Sequence, residues 1–225
     1  MVSEAPTNLQ SNDLEDFMSV SNKALIGLFF EVVPYSGHLN HYLNYVEKLK
    51  PELEKHKGLI WLNRYRALFD DQCLLSHQLW DSEKSLENWR RNKLHRMAQK
   101  AGIEKHFKDY RIRIGERLAY RQANIVTNVN FETSSKSGAL LLSIQSGAFI
   151  PNTAFSKHAS LDSVYCGLSA SDQFITLVTP NNLSSALALT STMSSDLFDK
   201  IELFSISRNY SMTERDQAPS TKNHE

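Results

Sequence analysis

Apolar positions in the first half of the chain follow strand-like and helix-like periods in turn. Residues 24–33 are almost entirely apolar and predict a strand buried on both faces. Apolar residues at three- and four-residue spacing then predict a helix over 36–56, which Pro51 should kink or restart. Two further apolar runs, 59–68 and 72–80, predict a pair of strands joined by a turn.

The first half ends with two helices and a fourth strand. A helix is predicted from Ser82, a break near 92–93, and a second helix over 94–101 that Gly102 terminates. Residues 110–120 alternate apolar and polar side chains and predict a strand. The element order is therefore β-α-β-β-α-β, which is the ferredoxin-like unit.

A similar order follows about 100 residues later. Strands are predicted at 139–144, 161–168, 173–179 and 201–207, with a short helix or loop at 151–159 and a helix after Pro180. The predicted fold class is therefore α+β, with tandem ferredoxin-like repeats in a dimeric α/β-barrel type of arrangement. The predicted segments are a flexible arm (1–21), a first domain (22–121), a linker (122–138), a degenerate second domain (139–210) and a disordered tail (211–225).

Composition excludes several classes of function. The chain has 225 residues and a formal net charge of zero, so no general attraction to nucleic acid or to an anionic membrane is expected. No apolar run reaches the roughly 18 residues of a membrane span, and the acidic N-terminal segment does not read as a signal peptide. Cys73 and Cys166 lack metal or redox spacing and are expected as reduced thiols, which favours a cytoplasmic location.

The stretch 74–96 carries the most chemistry. Ser76, Gln78 and Trp80 point to one side of the predicted third strand and His77 to the other. Trp89 follows on the next helix, so two indoles flank one strand-to-helix corner. They are either the walls of a flat apolar cavity or ordinary core residues.

Several short segments of the first half occur in a distinctive order. They are FEVVP at 30–34 with GH at 37–38, LWDSE at 79–83, WR at 89–90, HRMAQ at 95–99, and FKDYRIR at 107–113. With these segments, residues 24–120 resemble the antibiotic biosynthesis monooxygenase family of the dimeric α/β-barrel superfamily. The second half carries none of them and resembles only the fold, through its order of elements.

The resemblance implies that two ferredoxin-like sheets pair into a barrel. Either the two repeats pair with each other, or the first domain pairs with its copy in a homodimer; the sequence leaves both open. The resemblance also implies oxidation of electron-rich polycyclic phenols by molecular oxygen without metal or flavin, or else degradation of haem.

Individual positions separate these two branches. Trp80 matches the tryptophan of the cofactor-free branch, although Ser76 and Leu86 replace its usual asparagine and tyrosine. Trp89 matches a tryptophan of the haem branch, but Phe30 and Gln99 replace its asparagine and histidine. The sequence therefore favours the branch that uses no cofactor.

The leading hypothesis is a cofactor-free monooxygenase whose partners are molecular oxygen and a small aromatic or polycyclic substrate. The candidate catalytic residues are His95, Ser76 and Gln78. The candidate substrate-binding residues are Trp80, Trp89, Leu86 and Phe30. The alternative is a non-catalytic ligand-binding or assembly module of the same fold.

Two other sets of polar residues receive structural interpretations. His38 and His41 lie three apart on a helix, but no second ligand pair follows, so no metal site is predicted. Four arginines alternate on two strands and are expected on a solvated or dimer-edge face: Arg64, Arg66, Arg111 and Arg113.

Overall fold

The computed structural model describes residues 25–70, 72–122, 125–128, 138–147, 159–182, 184–186, 189 and 198–219. The strands are β1 (Ile26–Pro34), β2 (Leu59–Ala67), β3 (Leu74–Trp80), β4 (Phe107–Gln122), β5 (Ile125–Asn128), β6 (Ala139–Ser146), β7 (Ala159–Gly167), β8 (Gln173–Pro180) and β9 (Lys200–Ser211). The helices are α1 (Leu39–Glu54), α2 (Glu83–Arg91) and α3 (Lys93–Ala101), followed by a π-helical turn (Gly102–His106).

Eight of these strands close into an antiparallel barrel. Their order is β1-β3-β2-β7-β8-β6-β9-β4, and β4 pairs with β1 to complete the ring. The seams between the two halves of the chain are β2 with β7 and β4 with β9. β5 adds to the end of the long strand β4, beyond its pairing with β1. The barrel therefore closes within one chain, and closure requires no second copy.

The ferredoxin-like order predicted for the first half is confirmed, with strands arranged β2-β3-β1-β4. The second half arranges its strands correspondingly as β7-β8-β6-β9. Residues 184–186 are helical, but 151–158, where a short helix or loop was predicted, lie outside the described residues. The tandem repeat therefore stays a prediction.

The strands of the first half separate two layers because side chains alternate along each strand. Phe29, Tyr65 and His77 point into the barrel and join its apolar interior. Leu28 and Ile112 point outward beneath the helices. This double burial explains why β1 reads as a nearly continuous apolar run.

Side-chain caps fix the helices that cover the sheet. The Ser82 hydroxyl accepts from the backbone N–H of Ser85 at the start of α2, and the Asn92 side chain accepts from the N–H of His95 at the start of α3. The break predicted near 92–93 is confirmed. A restart at Pro51 is wrong, because α1 continues through it to Glu54, and a kink there stays a prediction.

Two predicted boundaries need correction. The segment 122–138 is not simply a linker, because Gln122 ends β4 and residues 125–128 form β5. The segment from 211 does not begin as a disordered tail, because Ser211 ends β9 and the N–H of Met212 donates to the carbonyl of Tyr110. The predicted arm, 1–21, lies outside the described residues.

A buried ionic network ties the two halves together inside the barrel. Arg113 on β4 is only 2% exposed and donates to Glu31 on β1 at 2.9 Å and to Asp162 on β7. Tyr165 on β7 donates to the other oxygen of Glu31 at 2.5 Å. The prediction of a solvated face is therefore wrong for Arg113.

No helix in the described part of the chain is both long and apolar enough to cross a membrane.

A candidate active site between the sheet and the helices

A cavity of about 430 Å³ lies between the outer face of the first sheet and the helices that cover it. Its floor comes from five adjacent strands, β9, β4, β1, β3 and β2. Register places side chains on this floor in two rows across the strands. The first row consists of Tyr210, Ile112, Phe30, Ser76 and Arg64. The second row, next to the first, consists of Arg208, Ile114, Leu28 and Gln78.

The roof is mainly apolar and aromatic. α1 contributes Val46 and Leu49, α2 contributes Leu86 and Trp89, and α3 contributes Ala98 among others. A cavity with this lining and a few convergent polar groups is typical of a small-molecule site.

The structure brings six of the seven predicted site residues to this one cavity. They are His95, Ser76, Gln78, Trp89, Leu86 and Phe30. Trp80, predicted to wall the cavity, is 0% exposed and packs with Leu86 and Trp89 beneath the lining. The roles assigned to these residues stay predictions.

Trp80 reaches the cavity indirectly, through a hydrogen-bond relay. Its indole N–H donates to Oε1 of Gln78 at 3.0 Å, and Nε2 of Gln78 lies 3.2 Å from the hydroxyl of Ser76. An indole can only donate, so the amide orientation of Gln78 is fixed and its NH₂ must face Ser76. The Ser76 oxygen accepts this bond, and no described residue accepts a hydrogen bond from its hydroxyl.

His95 is held by backbone and ring contacts. Its ring stacks on Trp89 with centroids 4.5 Å apart and 18° between planes, and its Nδ1 lies 3.0 Å from the carbonyl of Trp89. A carbonyl only accepts, so Nδ1 carries the proton and Nε2 is left as a base. Burial lowers the pKa of His95 from 6.5 to about 4, although the Trp89 carbonyl opposes this shift.

The sequence offered no acidic group to orient His95, and the structure shows that a main-chain carbonyl does this instead. That contact spans six residues and crosses the break between α2 and α3. It depends on the angle between two helices, which the local pattern does not give.

Other lining residues were missed. Arg208 and Tyr210 on β9 and Pro219 beyond it all line the cavity, although the second half had no predicted role there. Arg64 lies at the opposite end of the floor rather than on a solvated face. The missing information was the pairing of β4 with β9, which connects residues about 100 positions apart.

Histidines also gather at one edge of the cavity. His106, a lining residue, has its Nδ1 3.1 Å from Nδ1 of His38, and its ring stacks on His41 with centroids 4.9 Å apart. Across the described ranges, no group of three or more His, Cys, Asp or Glu residues is arranged to hold a metal ion.

Comparison with known proteins shows which family the first half of the chain is similar to. The profile of the family described as antibiotic biosynthesis monooxygenase matches residues 26–101. The protein named Jasmonate monooxygenase ABM from Pyricularia oryzae is 34% identical over 105 residues, which are 47% of this chain and 49% of that protein. The chain thus matches only about half the length of this curated relative. Residues 26–101 therefore match the antibiotic biosynthesis monooxygenase family, and the resemblance predicted from the sequence is confirmed.

Solved structures similar to this chain include two bacterial proteins that are described only provisionally as monooxygenases. The one from Lactobacillus acidophilus has a TM-score of 0.41 and 6% identity, covering 83% of this chain and 95% of that one. The one from Fusobacterium nucleatum has a TM-score of 0.39 and 9% identity, covering 89% of this chain and 98% of that one.

Proposed function

We propose that this protein is a monooxygenase that oxidises an aromatic or polycyclic substrate with molecular oxygen and without a cofactor. One observation carries the proposal: a neutral, oriented imidazole lines an apolar cavity inside an antibiotic biosynthesis monooxygenase domain. A cavity of this kind excludes water and keeps the base ready to accept a proton.

In the proposed reaction, Nε2 of His95 removes a proton from an activated CH₂ group of the substrate. The resulting carbanion reduces oxygen and combines with it to give a peroxide. Loss of water then leaves a ketone, so CH₂ and O₂ give C=O and H₂O, and no external reductant is needed. The Ser76 hydroxyl, oriented by Gln78, would donate to the substrate oxygen on which negative charge develops.

The name of the Pyricularia oryzae relative supports small-molecule oxygenation as the class of reaction. Its substrate is not transferred to this chain, because the match covers only half of that protein. The aromatic character of the substrate proposed here rests on the aromatic lining, in which Phe30, Trp89 and Tyr210 take part.

Oxygen consumption by the purified protein tests the proposal. Anthrone and substituted anthrones, each of which carries an activated CH₂ group, would be supplied in an oxygen electrode, with product identified by mass spectrometry. We expect one O₂ consumed per ketone formed, and a loss of at least about 100-fold in His95→Gln. His41→Gln, which changes an exposed histidine, is the control. No consumption with any substrate, or full activity in His95→Gln, contradicts the proposal.

A ligand-binding module is the second candidate, and the Trp80–Gln78–Ser76 relay favours it. These polar groups largely satisfy one another, as in a site that holds a ligand without reacting. Ligands found by thermal shift would be tested for binding and turnover with His95→Ala. Binding retained with turnover lost supports the enzyme, whereas binding with no turnover in either protein supports the module.

A further inference from the structure

Arg64 has an unusual environment at the β2 end of the cavity floor. It pairs across the strands with Ser76 and lines the cavity. Its Nε is buried and has no hydrogen-bond partner among the described residues. A polar neighbour of Arg64 is the neutral hydroxyl of Tyr42 on α1, where Arg64 opposes the rise in the Tyr42 pKa that burial causes.

Other arginines of the fold contrast with Arg64. Arg113 and Arg117, the two most deeply buried, both pair with carboxylates inside the barrel. Arg208, at the far side of the cavity floor, pairs with Glu83. No such ion pair forms at Arg64 within the described part of the chain.

A guanidinium beside an apolar cavity is costly unless an anion joins it, because partial burial removes much of its hydration. The planar fork of arginine matches a carboxylate, which can accept two parallel hydrogen bonds.

The rest of the floor suits an extended apolar body. From Arg64 the row continues through Ser76, Phe30 and Ile112 to Tyr210, which spans four gaps between strands. At about 4.8 Å per gap the row is about 19 Å long. A ligand of matching shape has an acidic group at one end only.

We propose that the cavity takes an elongated apolar carboxylic acid, whose carboxylate pairs with Arg64 while its body lies along the floor toward Tyr210. This inference deepens the proposed function by naming the substrate class. It rests on that function only in treating the bound acid as a substrate. Arg64 is then the residue that sets specificity, and it takes no part in the removal of the proton.

The experiment compares two probes of nearly equal size, anthracene-2-carboxylate and anthracene-2-carboxamide. Their dissociation constants would be measured by calorimetry for the unmodified protein, Arg64→Met, Arg64→Lys and Arg66→Met. Arg66 is a matched control because it lies two residues along the same strand, also with a buried, unpartnered Nε in the described structure, yet does not line the cavity.

We expect the unmodified protein to prefer the carboxylate by about 10- to 100-fold, as for a charge-assisted hydrogen bond. Arg64→Met should abolish this preference and leave carboxamide binding unchanged, Arg64→Lys should retain part of it, and Arg66→Met should retain all of it. Equal binding of both probes by the unmodified protein, or binding of neither, overturns the inference even if Arg64→Met fails to fold. So does a preference that survives Arg64→Met.

The binding result and the oxygen assay fail separately. A carboxylate preference without oxygen consumption would support this inference and contradict the proposed monooxygenase activity. Oxygen consumption with uncharged substrates alone would support the monooxygenase activity and contradict this inference.

Discussion

At the scale of single residues, His95 has an unusual acid–base property for a candidate catalytic histidine. Because burial lowers its pKa to about 4, it is a free base throughout the neutral range. We therefore expect kcat/KM for oxygen consumption to decrease only as pH falls through about 4, where His95 becomes protonated. A pH–rate profile measures this directly. An acid limb centred near 6.5 would mean that another, solvated histidine is the base.

His77 is the second histidine with a strongly lowered pKa, and it lies inside the barrel. It is 0% exposed and stacks on Phe29 at 4.3 Å, while Glu202, Lys200 and Arg117 are the charged groups around it. Burial is the main cause that lowers its pKa to about 4. Between about pH 6.5 and 4 the unfolded chain therefore binds a proton that the folded chain does not.

The contribution of His77 to the free energy of unfolding should accordingly decrease as pH drops from about 6.5 to about 4. Above pH 6.5 this contribution should stay constant. His77→Gln removes the titrating group. Between pH 7.5 and pH 4.5, we expect its free energy of unfolding to decrease by less than that of the unmodified protein, with a difference of up to about 3 kcal/mol. Urea unfolding at the two pH values measures the difference, with His41→Gln as the exposed control. Equal losses in all three proteins would show that His77 is not buried as a neutral group.

At the scale of elements, the caps of α2 and α3 have separable effects. Ser82→Ala and Asn92→Ala each remove a side-chain bond to a helix N-terminus and should each lower the free energy of unfolding by about 1 kcal/mol. Only Asn92 bonds the backbone of His95, so only Asn92→Ala should also reduce turnover.

Urea unfolding and steady-state kinetics on the same two variants test this distinction. A similar loss of turnover in Ser82→Ala would mean that the position of His95 depends on the stability of the helices in general, and not on the Asn92 cap.

Elements with a strong local pattern were predictable from sequence. The alternation of Ser76, His77 and Gln78 placed each side chain on the correct side of β3, and polar residues near 92 marked the break between α2 and α3. The length of β9 was not predictable, because the polar Arg208 and Asn209 interrupt the strand pattern that was predicted only over 201–207. Their strand conformation comes from pairing with β4, and a local window does not contain that partner.

At the scale of the molecule, the second half completes both the barrel and the cavity. It supplies β7 and β9 to the open edges of β2 and β4, and it adds Arg208 and Tyr210 to the cavity floor. The sequence left the first contribution open between pairing within one chain and pairing in a homodimer, and it did not predict the second. The positions of those two residues depend on a long-range register, in which Tyr210 pairs with Ile112, 98 residues earlier.

Removal of residues from 122 onward should therefore leave an insoluble or self-associating first domain. Two strand edges and the inward face around Phe29, Tyr65 and Leu75 would become exposed together. Size-exclusion chromatography of the truncated protein, beside the full chain, measures this. A soluble, monomeric fragment as stable as the full chain would show that the second half is dispensable for folding.

The closure of both seams within one polypeptide also affects how the site responds to dilution. When two separate chains build a barrel, the fraction assembled depends on their concentration and falls as they are diluted. Here β2 meets β7 and β4 meets β9 through a covalent tether, so assembly of the barrel is a unimolecular step whose equilibrium does not contain the concentration. The cavity floor spans the seam between β4 and β9. The position of Tyr210 in that floor is therefore independent of protein concentration.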